Sequence, residues 1–300
     1  MIDYSAALAV ARIVQTGSFE KAARALNVTP SAISQRVRQL EERMGTVLIE
    51  RGTPCIATEK GAWLCRHMEL VGMLENDLLK HLPNLGAEQT GPTTVDIAVN
   101  ADSLGTWFLP AVAAFSENST VLLNITVDDQ EHTAEALRRG RVLAAVTALA
   151  EPVAGCRTIP LGRLRYLATA SPAFMRRHFA DGVTKEALSR APALTFNQKD
   201  LLQNDWATNL LGETVSGPSH FLPSTHGFVE ACLLGMGWCL NPIHLVRDHL
   251  AAGRLVELVP GAVLDVSLYW QVSRLAAGQF ADLTNALVEA ARRELFPMAP

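Results

Sequence analysis

Residues 17–45 read GSFEKAARALNVTPSAISQRVRQLEERMG, and this stretch decides the fold of the first part of the chain. Gly17 is suited to end a preceding helix, and Ser18 can cap a second helix that continues through Leu26. Two short helices with a sharp change of direction are therefore expected. The first has apolar residues at helical spacing, namely Ala7, Leu8, Ala11 and Val14.

A third helix should follow a three-residue turn. Thr29 followed by Pro30 is a strong helix start, because a hydroxyl accepts from orphan amides and proline at the first helical position loses no hydrogen bond. This helix is expected to run to about Met44 and to end at Gly45. Its predicted inward stripe consists of Ile33, Val37, Leu40 and Met44.

The opposite face of the third helix is small, polar and basic. Two helices joined by a three-residue turn, the second carrying such a face, are typical of a helix-turn-helix that enters the DNA major groove. The alternative is an ordinary helical hairpin with a solvated face. The residues of this face are Ser31, Ser34, Gln35 and Arg38, with Arg36 and Arg43 also placed to reach phosphates.

The next segment predicts a β-hairpin wing and a long helix. Residues 48–51 and 55–58 read as two strands around a turn, with Arg51 and Lys60 placed to hold phosphates. Beyond Thr58 a helical pattern with one apolar seam continues, and residues 86–92 read as a linker. We expect the seam to pair with a second subunit, and the alternative is packing on the chain's own C-terminal domain. The seam consists of Leu64, Met68, Val71, Leu78, Leu82 and Leu85.

Composition divides the chain into a basic and an acidic module. The 300 residues are 49% hydrophobic and 19% charged, which fits a folded protein of about two domains. The net charge of −4 argues against a polyanion partner, but residues 1–66 hold 9 basic and 6 acidic side chains and the remainder holds 17 and 24. The charges are therefore +3 and −7. Five scattered cysteines without a C-x-x-C motif predict a reducing cytoplasm and signal no zinc site. The longest apolar runs reach only about half of the roughly 18 residues that a membrane span needs, so no span is expected. No metal or cofactor is expected either.

The larger module alternates strands and helices. Strands at 94–99, 121–127 and 142–149, separated by helices at 106–115 and 133–139, predict a parallel sheet. A second set has strands near 164–170, 193–196 and 237–240, and a strand at 264–272 and a helix at 276–295 close the chain. Two such lobes leave a cleft between them.

The cleft has residues suited to bind a ligand with both charges. Residues 100–103 and 223–225 place a helix start in each lobe, and free amides there suit a carboxylate. Asp102, Asp128 and Asp129 follow strands of the first lobe, where open α/β sheets bind ligands. The alternative is that the hydroxyls are simple caps and the aspartates are solvated turn residues. No catalytic motif is present, which disfavours an enzyme that uses the cleft, and the basic module disfavours a free-standing solute-binding protein.

Residues 17–26, 31–41 and 58–61 closely resemble the N-terminal signature of LysR-type transcriptional regulators. The resemblance implies an α/β protein with an N-terminal winged helix-turn-helix, a long linker helix and a two-lobed effector domain like type II periplasmic binding proteins. The expected division is 1–58, 59–91 and 92–300, with lobe I at 92–163 and 266–300 and lobe II at 164–265. The implied partners are an operator in double-stranded DNA, RNA polymerase, a small effector and further copies of the chain, as a dimer or tetramer. The DNA-binding residues are then Ser18, Thr29, Pro30, Ser31, Ser34, Gln35, Arg38, Arg51 and Lys60.

Residues 98–104, with Trp107, and residues 137–140 and 268–270 look like the subgroup of this family that responds to lysine and arginine and controls a basic-amino-acid exporter. The implied effector is L-lysine or L-arginine, and the alternative is a different small carboxylate or amino acid. The candidate effector-binding residues are Asn100, Asp102, Ser103, Trp107, Asp128, Asp129, Thr147, Asn197, Ser224 and Thr225.

Three positions depart from the family pattern. Pro30 stands where relatives often carry glutamine, and Ile56 stands where an arginine is common in the wing. These two departures affect the expected base preference and the expected contact with the minor groove. Asn197 stands where the subgroup often has an acid, so the ligand preference is expected to differ if that acid binds the effector's cation.

Overall fold

The computed structural model describes residues 2–81, 94–128, 133–139 and 141–298. Within these residues no helix is long and apolar enough to cross a membrane. The predicted linker at 86–92 and the seam residues Leu82 and Leu85 lie outside the described residues.

Three helices form the head, which we define as residues 2–58. Ser18 Oγ accepts from Lys21 N at 3.4 Å and Thr29 Oγ1 accepts from Ala32 N at 3.2 Å. These bonds and the left-handed Gly17 and Gly45 confirm the predicted helix ends. The helices are α1 (Tyr4–Thr16), α2 (Phe19–Ala25) and α3 (Pro30–Met44).

The head core corrects two predicted positions. Leu8 is exposed because the buried face of α1 begins at Ala6 and repeats every three or four residues, which puts Leu8 on the opposite side. Met44 is also exposed, since it is the last residue of α3, where the helix leaves the core. The buried residues of these two helices are Ala6, Ala7, Ala9, Val10, Ile13, Ile33, Val37 and Leu40.

The predicted wing is present but shorter than expected. Its strands are β1 (Ile49–Glu50) and β2 (Ile56–Ala57), which pair antiparallel. The Glu41 side chain of α3 accepts from Leu48 N at 2.8 Å and from Ile49 N at 3.3 Å. This carboxylate fixes the wing against the third helix.

The long helix α4 (Glu59–His81) contacts both modules. Leu64 belongs to the head core, whereas Met73 is buried in the main core of the C-terminal module. The helix therefore packs on the chain's own C-terminal domain over part of its length. This packing is the alternative to pairing with a second subunit. Leu74 and Leu78 remain 56% and 55% exposed, which leaves an apolar strip for a second subunit.

Glu69 lies where α4 meets the C-terminal module. Burial and the neighbouring carboxylate of Asp96 raise the pKa of Glu69 to about 9. The folded state therefore favours the protonated side chain. The stability that protonated Glu69 contributes to the folded state is fully present below the ordinary pKa of 4.5 and is lost as the pH rises through about 9.

The strands of the C-terminal module are β3 (Thr94–Asn100), β4 (Leu122–Asp128), β5 (Ala144–Thr147), β6 (Cys156–Ala170), β7 (Ala193–Thr195), β8 (Ser219–Phe221), β9 (Cys239–Pro242), β10 (Val256–Glu257) and β11 (Val263–Ser273). They form a seven-stranded sheet in the order β10-β6-β11-β5-β3-β4, with β9 also paired to β6, and a two-stranded sheet of β7 and β8.

Helices pack against these sheets. They are α5 (Ala101–Ser103), α6 (Leu109–Ser116), α7 (Thr133–Arg138), α8 (Pro172–His178), α9 (Lys185–Leu188), α10 (Leu202–Leu211), α11 (Thr225–Leu233), α12 (Ile243–Ala251) and α13 (Ala281–Glu294). A π-helical turn at Leu104–Phe108 joins α5 to α6, so one helical segment follows β3. The final helix α13 packs on α6, as predicted for a return to the first lobe.

Strand directions agree with the prediction in the first lobe and are mixed in the second, where β7 pairs parallel with β8. β3 pairs parallel with β4 and β5, which confirms the predicted parallel sheet. β9 and β10 instead run antiparallel to β6, whose direction is already set by its pairing with β11. β6 and β11 cross the expected lobe boundaries and connect the two lobes.

A charged cluster holds these two connecting strands together. Arg165 donates to both carboxylate oxygens of Asp265, at 2.8 and 2.9 Å, and Arg163 lies 2.9 Å from the same carboxylate. The hydrogen bonds from Arg165 lower the pKa of Asp265. The hinge between the lobes is thus tied by an ion pair that bridges adjacent strands.

Candidate functional site

A cavity of about 150 Å³ lies between the two lobes, where β3 ends and α5 begins. The first lobe contributes the start of that helix, and the second contributes the segment after β7 and the side of α11. The lining residues are Asn100, Ala101, Asp102, Ala148, Phe196, Lys199, Asp200, Leu201, Leu202, Asp205, Phe228 and Val266. The cavity is the cleft that the order of strands and helices predicts.

Asn100 is the most deeply buried polar residue of the cleft. Its side chain is 1% exposed, and neither amide atom has a hydrogen-bond partner among the residues that the structure describes. It also precedes α5 without capping it through its side chain. An unpartnered amide beside the free N–H groups of a helix start is suited to an anionic group such as a carboxylate.

Asp102 connects the two lobes. One carboxylate oxygen accepts from Tyr166 Oη at 2.7 Å, and the other accepts from Thr225 Oγ1 at 2.7 Å. Gly105, in the same helical segment, approaches His226 so closely that an added Cβ would lie 3.2 Å from its ring. The first-lobe helix and the start of α11 are therefore in direct contact across the cleft.

Further charges in the cleft come from residues 199–205. Asp200 and Asp205 line it beside Lys199, so with Asp102 the lining carries three carboxylates and one ammonium group. Asp200 is oriented by hydrogen bonds from Phe196 N and Leu202 N, at 2.9 and 3.1 Å. The rule that ligands bind beyond strand ends also points to this segment, because the segment follows β7.

The other predicted effector residues have different surroundings. Ser103 accepts from the buried Trp107 indole at 3.1 Å, and Thr147 Oγ1 accepts from Leu149 N at 3.1 Å. Ser224 caps α11 through Gly227 N at 3.1 Å. None of these four side chains is among the described lining residues of the cleft.

Of the last three predicted residues, one is described and the side chains of the other two are not. Asn197 accepts from Lys199 N at 2.7 Å and lines a neighbouring cavity instead. Asp128 ends β4, but its side chain is outside the described part of the chain, as is Asp129. Of the ten candidates, Asn100 and Asp102 line the cleft, and Thr225 reaches it through Asp102.

The predicted DNA-facing surface is formed by α3 and its neighbours. Ser31, Gln35 and Arg38 are exposed, Ser34 is half-buried, and Pro30 is exposed at the start of the helix. The Arg38 guanidinium pairs with Glu42 at 2.8 Å on the helix surface. Such exposed pairs are weak, so the guanidinium is available to exchange Glu42 for a phosphate or base.

The remaining predicted DNA contacts surround this helix. Thr29 Oγ1 lies 3.0 Å from Ser31 Oγ at the start of α3, and Ser18 caps α2. Arg51 of the wing is exposed and stacks over Phe19 at 5.2 Å, and Lys60 is exposed at the start of α4. Ile56, where an arginine is common in relatives, is 50% exposed on the wing.

Comparison with known proteins identifies both modules. Residues 6–62 match the bacterial regulatory helix-turn-helix of the LysR family, and residues 89–292 match the LysR substrate-binding domain. The chain is 43% identical over 288 residues to the transcriptional regulator ArgP of Pseudomonas aeruginosa, with 96% of this chain and 95% of ArgP covered.

Two solved structures extend this result. The C-terminal domains of a LysR family protein from Agrobacterium tumefaciens are 66% identical, with a TM-score of 0.67, over 68% of this chain and 99% of that one. Full-length LysG from Corynebacterium glutamicum with bound effector Arg is 35% identical, with a TM-score of 0.71. The match covers 99% of this chain and 100% of LysG. The chain therefore belongs to the LysR family of transcriptional regulators, with a helix-turn-helix head and a two-lobed effector domain.

Proposed function

We propose that this regulator senses a basic amino acid, L-lysine or L-arginine, in the cleft between its lobes. The observation that carries the proposal is the combination of an acidic lining with a helix start whose neighbouring amide, Asn100, is buried and has no partner among the described residues. A basic amino acid has one carboxylate and two cationic groups. The cleft offers matching partners for both kinds of charge.

The proposed pose follows from these partners. The effector's carboxylate binds the Asn100 amide and the N–H groups at the start of α5, where the helix dipole also favours an anion. Its cationic groups lie toward Asp102, Asp200 and Asp205. Asp128 and Asp129 remain candidates for the cation, and Ser103, Ser224 and Thr225 act as caps or supports of the cleft walls.

The relatives support the same ligand class. The LysG structure from C. glutamicum contains bound effector Arg, and it aligns with this chain over its whole length. The departure at Asn197 is consistent with this ligand class, because Asp200 and Asp205 supply carboxylates on the same segment. We therefore propose that the cation is bound by these aspartates rather than by residue 197.

Effector binding is proposed to act on DNA through a population shift. Closure of the lobes changes the spacing of paired heads, and a coupling of about 1–3 kcal/mol changes DNA affinity about 5- to 150-fold. Pairing through the exposed strip of α4 would form a dimer or tetramer. The proposed setting is the cytoplasm, with RNA polymerase at the regulated promoter and a basic-amino-acid exporter gene as the target. The cleft is proposed to bind its ligand without turnover.

Thermal unfolding of the full-length protein tests the ligand. L-arginine or L-lysine, in large excess over its dissociation constant, is expected to raise the midpoint by roughly 5–10 °C, because a ligand that binds only the folded state stabilises it. L-glutamate should produce no shift. An equal shift with L-glutamate, or no shift with any basic amino acid, would exclude the proposed effector class.

Substitutions in α3 test the DNA-facing surface. Arg38→Ala and Ser34→Ala are each expected to weaken retention of the chain's own promoter DNA about 5- to 100-fold, because each removes a contact worth about 1–3 kcal/mol. Arg247→Ala, which removes an exposed arginine of α12, is the matched control. Gel retardation at moderate salt measures the effect, and the elution volume on gel filtration checks that the oligomer is intact. Unchanged retention in both α3 variants would refute this assignment of the face.

A further inference from the structure

A second cavity, of about 240 Å³, lies within lobe II on the other side of the segment that forms one wall of the effector cleft. It shares Asp200 and Leu201 with the cleft and otherwise has its own lining, which includes the ends of β7 and β8. Its lining is rich in amides and hydroxyls: Asn197, Gln198, Gln203, Asn204, Ser216 and Ser219.

Two buried side chains at this cavity have unused hydrogen-bonding atoms. Gln203 is 4% exposed, and its Nε2 donates to Leu194 O at 2.7 Å while its Oε1 has no partner within the described parts of the chain. Trp238 is also 4% exposed, and no described residue pairs with its indole Nε1. A buried acceptor and a buried donor are each costly to leave unpaired, so both require a partner.

The charge of the lining limits what that partner can be. Asp200 is the one charged residue among its described members, and its carboxylate already accepts from Phe196 N and Leu202 N. No lysine, arginine or histidine is found among these lining residues, so an anionic group has no counter-charge there. The lining therefore favours an uncharged molecule with both donors and acceptors.

We propose that this cavity is a second ligand site, for a small uncharged molecule that carries hydroxyl or carboxamide groups. A hydroxyl can donate to Gln203 Oε1 or accept from Trp238 Nε1, and a carboxamide can do both through its two ends. Phe221, which is 55% exposed at the cavity, adds an apolar face for the carbon skeleton. The site is separate from the cleft proposed for the basic amino acid.

Saturation-transfer NMR on the full-length protein tests the site with named probes. Glycerol and D-glucose supply hydroxyl groups, and propionamide supplies a carboxamide. Comparing them shows which of the two groups the cavity binds. At least one probe is expected to bind, and its affinity should fall about tenfold in Trp238→Phe, which removes the indole donor. Asn204→Leu, at an exposed position of the lining, should also weaken binding and is less disruptive to the core.

Trp206→Phe is the matched control. Its ring centroid lies 5.5 Å from that of Trp238, but its Nε1 already donates to Ala262 O at 2.7 Å. Probe binding should therefore survive this substitution. It should also persist when L-arginine is added, since the two ligands occupy different cavities.

Three results would overturn the proposal. Failure of all three probes to bind would mean that the cavity holds water only. Unchanged affinity in both Trp238→Phe and Asn204→Leu would place the bound probe elsewhere. Displacement of the probe by L-arginine would place it in the effector cleft.

Discussion

Asp102→Ala is expected to weaken binding of the basic amino acid about 100-fold while the protein stays folded. The substitution removes the acceptor for two hydroxyl donors, Tyr166 and Thr225, and with them the bridge between the lobes. Hydrogen bonds to a charged group contribute about 1.5–3 kcal/mol each, and a loss of about 3 kcal/mol corresponds to about 100-fold in affinity. Part of this loss reflects a smaller population of the closed form, which lowers apparent affinity in proportion.

Two further variants separate the bridge from a direct contact with the ligand. Thr225→Val keeps the Asp102 carboxylate in the cleft and removes one donor, so it should weaken binding about tenfold. Asp181→Asn changes an exposed aspartate away from the described cleft lining and should have no effect. Calorimetric titration measures all three. If Asp102→Ala bound the effector as tightly as Asp181→Asn, Asp102 would not support the cleft.

Gly61→Ala is expected to destabilise the head by about 3 kcal/mol and to abolish DNA retention, because a new methyl group would overpack a buried contact. Gly61 is buried in the first turn of α4, and its Cβ would overlap the carbonyl oxygen of Leu48. Leu48 is itself buried, and its N–H is held by Glu41. The helix and the wing would have to separate.

Gly278→Ala is the control, since an added Cβ there meets nothing within 4 Å. Chemical denaturation and gel retardation measure the two effects, and effector binding in the C-terminal module should be retained. Normal DNA retention in Gly61→Ala would contradict the close approach of α4 to the wing.

The head could be predicted almost completely from the sequence. Ser18, Thr29 and Gly45 act on neighbouring residues, so the signals for helix ends are contained in a few consecutive positions. The errors at Leu8 and Met44 have the same local origin, because a helical stripe shows which residues share a face but not where the core ends along the helix.

The cleft could be predicted only in part. Asn100 and Asp102 follow a strand and were found by that rule, but the hydrogen bonds that define the role of Asp102 join residues 64 and 123 positions apart. Asp200 and Asp205 lie after a three-residue strand that pairs with neither of the connecting strands. Such long-range pairings leave no periodic signal in the sequence.

The linker helix shows a similar limit. Its apolar seam was consistent with a second subunit or with the chain's own C-terminal module, and the pattern alone could not separate them. Met73 packs into the C-terminal core while Leu74 and Leu78 stay exposed, so adjacent faces of one helix have different surroundings. Heptad spacing does not distinguish the partners of neighbouring faces.

Calorimetric titration of the full-length protein with L-arginine and with L-citrulline tests the central claim most directly. The two amino acids have nearly the same shape, but the side chain of citrulline is uncharged. The acidic cleft predicts saturable heat with L-arginine and at least about tenfold weaker binding of L-citrulline, because the cleft carboxylates would lose their cationic partner. Equal affinity for the two, or no heat with L-arginine or L-lysine, would contradict the account.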